Sequence, residues 1–428
     1  MSSEGILSPS EWRTVVETCL GTSQVDVLKI SVGPLAGEFG GFLGDHRQVK
    51  VKVLVHTSKP PIGKELAFFL KRIPDDHPKH TEFVTSCGAF NKEIGLLSKL
   101  FNRFPRTSIP WGPECYFTRP DTLVLEDLIE QQFRHVPRHA LLDYPHCAVF
   151  MKTLAVYHAA TLIFEENQSK SNNEKFKINE KYPDLTYELL FAYEGTGKFL
   201  HLFKSSVDTL NSIIDLVPKY KDNENVLRKI SEKLSDTLYQ QFELSKPSKK
   251  FRNVLCHGDL WVNNVFFRYQ DDVPVEVRIV DFQVVRYCPP ATDIMAFLHL
   301  NTGREFREAN EEKLLLLYHT SLAEELSKHG YQVDQLLPWS EFKESCEVYR
   351  AFGRIIAACY HHVNMLPKRF LDEHMEDPYE HERFLSENRA HVVAVAWEEN
   401  DHYRGRLLDD LTELIDCMIL GVESNSSL

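Results

Sequence analysis

Paired cysteines are missing from this chain. The nine cysteines, at positions 19, 87, 115, 147, 256, 288, 346, 359 and 417, are odd in number and include no C-x-x-C. That disfavours a disulfide framework or a zinc ribbon and fits a reducing, cytoplasmic setting. No window approaches the roughly 18 apolar residues of a membrane helix. The opening MSSEGILSPSEW has neither the basic stretch nor the apolar run of a signal peptide. Basic stripes are lacking as well. Lys and Arg number 49 against 62 Asp and Glu, a net charge of −13. The expectation is no nucleic-acid partner and no membrane, while a local cationic pocket for phosphates stays compatible with the acidic whole. His361, His362 and His374 lack paired metal spacing, so no zinc is assigned. There is no internal repeat, and composition is silent on oligomeric state.

What is present centres on Val254 to Asp281. It reads VLCHGDLWVNNVFF, a charged turn from Arg268 to Glu276, then VRIVDF. The pattern predicts a strand, a polar loop, a strand, a turn and a strand. His257, Asp259 and Asn264 stand at H-x-D-x-x-x-x-N spacing, and Asp281 follows on the last apolar run. A polar hairpin with these groups satisfied in the core is the plain alternative. The combination suits a magnesium–nucleotide site better. Asn264 and Asp281 offer the hard oxygens that Mg²⁺ takes alongside substrate phosphates. Asp259 is then placed to face an incoming hydroxyl, as the catalytic-loop Asp of kinases does.

These residues carry a resemblance. HGDLWVNNVFF followed by IVDFQ is similar to the ecdysteroid kinase-like (CHK kinase-like) family, small-molecule kinases related to choline kinases and aminoglycoside phosphotransferases. Protein kinases carry H-R-D and D-F-G instead; here Gly258 stands for the Arg and Gln283 for the Gly. The likeness runs from about Gly33 to the last helix. It implies an α+β, bilobal kinase-like fold, with a strand-rich small lobe over 1–126 and a helical large lobe over 127–428.

Taken in order, residues 8–20 predict a packing helix capped by Ser8 or Ser10. Residues 25–55 alternate at period two on either side of a glycine cluster, Gly33, Gly37, Gly40, Gly41 and Gly44. By position those glycines suit a loop covering phosphates, although G-x-G-x-x-G is absent. ELAFFLKRIP (65–74) predicts a third strand, and TSCGAFNKEIGLLSKLF (85–101) a helix with Phe90, Ile94, Leu97 and Phe101 on one stripe. Lys71, in preference to Arg72, is expected to pair with Glu93 and contact the α/β-phosphates, as in kinases. TLVLEDL predicts a strand ending at a hinge, where backbone around Glu126, Asp127 and Leu128 would hold adenine.

PHCAVFMKTLAVYHAATLIFEE (145–166) predicts a core helix, with His158 as a packing residue, and 167–181 a surface loop. Tyr187 to Leu244 reads as helical. Asp293 is expected as an N-cap or first-turn acid; the resemblance adds that an Asp here braces the catalytic loop. Trp261 either walls the acceptor pocket or anchors the loop. Residues 304–330, 339–363 and 403–421 predict helices, and 366–388 a charged loop.

The expected reaction is transfer of the ATP γ-phosphate to a hydroxyl of a small, apolar acceptor, such as an ecdysteroid or a hydroxylated xenobiotic. Lys71 and Glu93 steady phosphates, Asn264 and Asp281 hold Mg²⁺, Asp259 deprotonates the acceptor, and His257 positions the loop. Pro289-Pro290 and Asp293 leave no room for a protein-kinase activation segment, which favours a small acceptor over a protein. The alternatives are a pseudokinase or ligand-binding module without turnover, and a choline/ethanolamine-type kinase.

Overall fold

The structure is a computed structural model, and it describes residues 6–35, 44–74, 78–191, 200–375 and 378–422. The chain forms two compact units. The first takes in Met1–Arg103, Gly112–Arg134 and Arg278–Gln283; the second takes in Phe104–Trp111, His135–Val277 and Val284–Leu428. The cut after Glu126 is a division of sequence, whereas these units follow packing.

In the first unit, helix α1 (Pro9–Leu20) starts on a capping box. The Ser8 side chain accepts from the Glu11 amide, and the Glu11 carboxylate accepts from the Ser8 amide at 2.6 Å. Two of the amide donors that a helix start leaves unmatched are thereby satisfied. Trp12, Val15 and Val16, at helical spacing, are buried against the sheet. That sheet has five strands in the order β1-β2-β3-β5-β4, all neighbours antiparallel. They are β1 (Val25–Pro34), β2 (Asp45–Val55), β3 (Ile62–Arg72), β4 (Cys115–Arg119) and β5 (Thr122–Glu126).

Strand alternation sends Val49, Val51 and Val53 of β2 and Phe68 and Leu70 of β3 to the α1 face. The opposite face carries Phe69, Leu123 and Leu125. It is covered by Phe90 and Leu97 from the segment of α2 (Pro78–Cys87), α3 (Ala89–Gly95) and the turns that follow. The helix expected over 85–101 is thus broken at Gly88, whose φ of 77° places it in the left-handed region.

The second unit is helical. Its core helix α4 (Tyr144–Asn172) runs six residues beyond the expected end, to a left-handed cap at Asn173. Part of the expected surface loop is therefore helix, because NQSKSN prolongs the helix as a solvated last turn and a half. Contrary to expectation, α4 is long and apolar enough to cross a membrane. However, 83% of its most apolar window is buried within the fold. An all-round apolar helix is what the centre of a large core requires.

Short helices α5 (Ile178–Lys181) and α6 (Pro183–Thr186) precede α7 (Leu200–Ile213) and α8 (Glu224–Leu244). Strand β6 (Val254–Cys256) pairs with β9 (Arg286–Cys288), and β7 (Val265–Gln270) forms a hairpin with β8 (Val273–Ile279). Asp271 and Asp272 take φ of 48° and 62°, the conformation of a tight hairpin turn. Then come α9 (Ala291–Asn301), α10 (Arg304–Lys328), α11 (Val333–Leu336), α12 (Trp339–Asn364), α13 (Lys368–Met375), α14 (Pro378–Ser386), α15 (Ala390–Glu399) and α16 (Asp401–Leu414). The stretch expected as a charged loop is thus largely α13 and α14. Its charges form a solvated face, while Phe370, Leu371 and Phe384 are buried. Every residue of α9 is buried, and Phe297 stacks on Phe150 of α4 at 3.6 Å between ring centroids.

Candidate active site

In the first unit, alternation along β3 decides between Lys71 and Arg72. Lys71 shares its face with Phe69, under α3, whereas Arg72 turns to the other side and meets Asp45 at 2.9 Å. The Lys71 ammonium donates to Glu93 of α3 at 2.7 Å and to Asp281 at 2.9 Å. Lys71 and Glu93 are almost fully buried, while the Asp281 side chain keeps 35% of its surface. Burial alone would lower the Lys71 pKa. The charges of Asp281 and Glu93 outweigh it, so the pKa is raised and the ammonium stays charged. Burial, with Asp281 nearby, pushes the Glu93 carboxyl up in spite of Lys71. The direction we hold to is a persistent cation shared between two acids. The second oxygen of Glu93 accepts from the Phe282 amide at 3.1 Å and so holds the residue after Asp281. Asp281 itself has φ of 68°, a strained conformation for a non-glycine residue, which aspartate tolerates better than most.

Among the adenine candidates, Glu126 ends β5 and its amide donates to the Glu114 carbonyl at 2.8 Å. Asp127 is buried, and its carboxylate accepts from the amides of Ile129 and Glu130 and from Gln48 at 2.7 Å. Its side chain therefore builds the turn. Leu128 is buried, and its carbonyl accepts from the Phe133 amide at 2.9 Å. Of the glycine cluster, Gly33 lies in β1 and Gly44 precedes β2. Gly37, Gly40 and Gly41 fall outside the described residues.

In the second unit, the loop between β6 and β7 carries the other candidates. Asn264 closes a short turn, its amide donating to the Trp261 carbonyl at 3.0 Å. The side-chain nitrogen of Asn264 donates to the Asp259 carbonyl and to Asp259 Oδ2, both at 2.9 Å. Its side-chain nitrogen committed in this way, Asn264 has its amide oxygen as the donor for a cation. An amide oxygen is a hard ligand of the kind that Mg²⁺ takes. His257 is fully buried, and its Nδ1 accepts from the Asp259 amide at 3.2 Å. That is a positioning contact.

Asp293, in the first turn of α9, secures the loop from beneath. Its Oδ2 accepts from the His257 amide at 2.6 Å and its Oδ1 from the Gly258 amide at 2.9 Å. His158 of α4 reaches Asp293 Oδ2 at 3.2 Å, and its other ring nitrogen meets the Tyr318 hydroxyl at 2.8 Å. Burial would raise the Asp293 pKa. His158, His257 and the Gly258 amide hold it below the usual value instead. Gly258 adopts φ of 86°, and a Cβ there would sit 2.5 Å from the Val284 carbonyl. Glycine is required at this position.

The ecdysteroid kinase-like family model matches residues 45–331, more than half of the chain, and takes in Lys71, Glu93, Glu126, Asp127, Leu128, His257, Asp259, Asn264, Asp281 and Asp293. The chain belongs to the ecdysteroid kinase-like family. This kinase-like protein is accordingly a phosphotransferase that acts on the hydroxyl of a small molecule, and its α+β fold is the kinase-like one. Similar solved structures include an ethanolamine kinase from Plasmodium vivax, at 12% identity, covering 88% of this chain and 83% of that one, with a TM-score of 0.37. The ADP-bound aminoglycoside phosphotransferase APH(2'')-Ib is 13% identical, with coverage of 88% and 98% and a TM-score of 0.34. Aminoglycoside phosphotransferase APH(3'')-Id from Streptomyces rimosus, in complex with ADP and streptomycin, is 16% identical, with coverage of 68% and 89% and a TM-score of 0.30. No curated protein matches the chain.

Sequence reasoning missed two charged residues beside the loop between β6 and β7, Arg286 and Glu188. Arg286 is buried in β9, and its Nε lies 2.9 Å from Glu188 Oε2. A lone arginine in the apolar run VVRYC was a signal, since a buried guanidinium needs a reason.

Proposed function

We propose that this kinase-like protein transfers the γ-phosphate of ATP to a hydroxyl of a small, largely apolar acceptor, such as an ecdysteroid or a hydroxylated xenobiotic. The observation that carries the nucleotide reading is the buried Lys71 ammonium held by Glu93 at 2.7 Å and Asp281 at 2.9 Å. Kinases need this ion pair and this aspartate together. In the proposal, Lys71 steadies the α/β-phosphates, and backbone at Glu126, Asp127 and Leu128 receives adenine. Asn264 and Asp281 each offer an oxygen to Mg²⁺. The ion, when bound, neutralises charge on the phosphates.

Asp259, oriented by Asn264 Nδ2, accepts the proton of the acceptor hydroxyl. The acceptor oxygen forms its bond to the γ-phosphorus as the bond to the β–γ bridging oxygen breaks, and ADP leaves. His257 and Asp293 keep the loop in place. A cytoplasmic location completes the proposal, and the eight described cysteines, all free thiols, are compatible with it.

The test is ADP release by purified protein with ATP, with and without Mg²⁺, across a panel of hydroxylated steroids and xenobiotics. Acceptor-stimulated, Mg²⁺-dependent release with a phosphorylated product is expected. Mg²⁺-dependent nucleotide binding without product from any acceptor would replace the enzyme with a binding module.

A further inference from the structure

Asn301 is the last residue of α9 in the second unit, and the phosphotransfer roles above do not use it. The residue is 2% exposed. Its side-chain nitrogen donates to the Leu260 carbonyl at 2.8 Å and to the Phe297 carbonyl of its own helix at 2.7 Å. Both neighbours are oxygens that only accept, so the amide has a single workable orientation. Its Oδ1 is thereby turned away, buried and without a hydrogen-bond partner among the described residues. A buried orphan acceptor is destabilising. An aliphatic residue would end the helix without one, so the contact to Leu260 is what sets asparagine apart at this position.

Leu260 follows Asp259, and the contact completes a set. Asp293 accepts from the amides of His257 and Gly258 at 2.6 and 2.9 Å. The Asp259 amide donates to His257 Nδ1 at 3.2 Å, and the Asp259 carbonyl accepts from Asn264 at 2.9 Å. Asn301 takes the carbonyl of the residue after. Asp293 and Asn301 lie a little over two turns apart on one helix, about 12 Å along its axis. One holds the chain before Asp259 and the other holds the chain after it. The stretch that carries Asp259 is thus fixed at two points of a single buried helix.

The end of α9 that bears Asn301 is itself clamped. The last carbonyls of a helix have no partner within it. Here the His299 carbonyl accepts from Arg406 at 2.5 Å, and the Thr302 carbonyl accepts from Arg406 at 2.8 Å. The Leu300 carbonyl meets His361 Nε2 at 3.1 Å, and the Asn301 carbonyl accepts from the Leu142 amide at 2.8 Å.

We propose that Asn301 is a positioning residue for phosphotransfer: through the Leu260 carbonyl it fixes the backbone after Asp259, and with it the direction of the Asp259 carboxylate. The inference rests on the phosphotransfer reading above, in which Asp259 is the base, and adds a residue to it. Without the Asn301 donor, the buried Leu260 carbonyl has to find another partner, and the neighbouring Asp259 moves with it. A displacement of about 1 Å at a reacting group costs up to about 10²-fold in rate while substrates still bind.

The experiment compares Asn301→Leu, close in shape but lacking the donor, with the unaltered protein. Phe150→Leu is the control, because it loosens α9 at the Phe297 stacking contact and leaves the loop contacts alone. ADP release from Mg–ATP is measured with 20-hydroxyecdysone and with water alone as acceptor. Hydrogen exchange is followed by mass spectrometry on peptides covering 256–265, and Tm reports folding. In Asn301→Leu, kcat is expected to fall about 10- to 10²-fold with KM for ATP unchanged, and exchange in the loop to quicken about tenfold. In an Asp259→Asn background the same substitution should add little, because residues that act through one group are not additive. Phe150→Leu should lower Tm and keep kcat. If leucine prevents folding, Asn301→Ala makes the same comparison. A kcat equal to the parent's, an undiminished further loss in the Asp259→Asn background, or an equal loss in Phe150→Leu would overturn the assignment. If the unaltered protein releases no ADP, the phosphotransfer reading fails by itself. The exchange data then decide the hold of Asn301 on the loop: faster exchange upholds it, and unchanged exchange overturns it.

Discussion

Asp259 and Asp281 are both aspartates beside apolar strands, and the different work proposed for them rests on different surroundings. Asp259 is oriented by an amide nitrogen, that of Asn264 at 2.9 Å. Asp281 is neutralised by an ammonium, that of Lys71 at 2.9 Å. A carboxylate next to a neutral donor remains a base, whereas one beside a fixed cation is suited to metal and phosphate charge. The two single substitutions should therefore separate. In Asp259→Asn we expect kcat to fall by about 10²–10⁴-fold, the usual contribution of a general base, with Mg–ATP affinity kept. In Asp281→Ala we expect loss of Mg²⁺-dependent nucleotide binding itself, read by calorimetry with and without the ion. Unchanged turnover in the first variant removes Asp259 from the proton transfer, and normal Mg–ATP affinity in the second removes Asp281 from the metal. The choice of Lys71 over Arg72 belongs to the same scale. Both cations were visible in KRIP, but one residue of offset along a strand sends them to opposite faces.

Among the elements, the loop from Cys256 to Val265 depends on α9. Asp293 accepts from two successive loop amides, and His158 of α4 supports it in turn. Loops keep buried amides only when something accepts from them, so this helix and the loop form one device. Asp293→Asn keeps the shape and loses one acceptor, because an amide nitrogen then faces a donor. We expect a loss of about 1–3 kcal/mol of stability, the cost of one unsatisfied buried donor, together with a lower kcat and little change in KM for ATP. Chemical denaturation and steady-state kinetics check both. A variant as stable and as active as the parent would show that the loop needs no such support. The element boundaries that spacing misjudged have the same root. Gly88 divides the expected helix, and the polar end of α4 stays helical, because tertiary packing overrides local composition.

For the molecule as a whole, the buried titratable groups set a pH profile. Burial pushes His299, His361 and His362 below the ordinary 6.5, with Arg307, Arg406 and Arg389 respectively adding to it. The unfolded chain therefore takes up protons there before the folded one does, and stability falls as pH drops through 6.5. Burial would raise the carboxyls of Asp410, Glu413 and Asp293. Their cationic and histidine partners hold all three below ordinary values of 3.8 to 4.5 instead. Their contribution is complete above those values and is lost in more acid solution. The Tm is accordingly expected to decline from neutral pH in two stages, the first near 6.5 and the second below about 4.5. A flat Tm through the first window would show that these histidines are not held neutral.

The order of strands and helices, the H-x-D-x-x-x-x-N loop and the Asp-Phe after β8 were legible because each is local. Alternation, helical spacing and short motifs are properties of neighbouring residues. They sufficed for the fold class and the family. Folding alone decided that Arg286 meets Glu188 across nearly a hundred positions, and it supplied the contacts by which Lys71 and Asp293 reach the partners expected of them. Such partnerships depend on which helix lies over which strand, and distance along the chain carries no record of that.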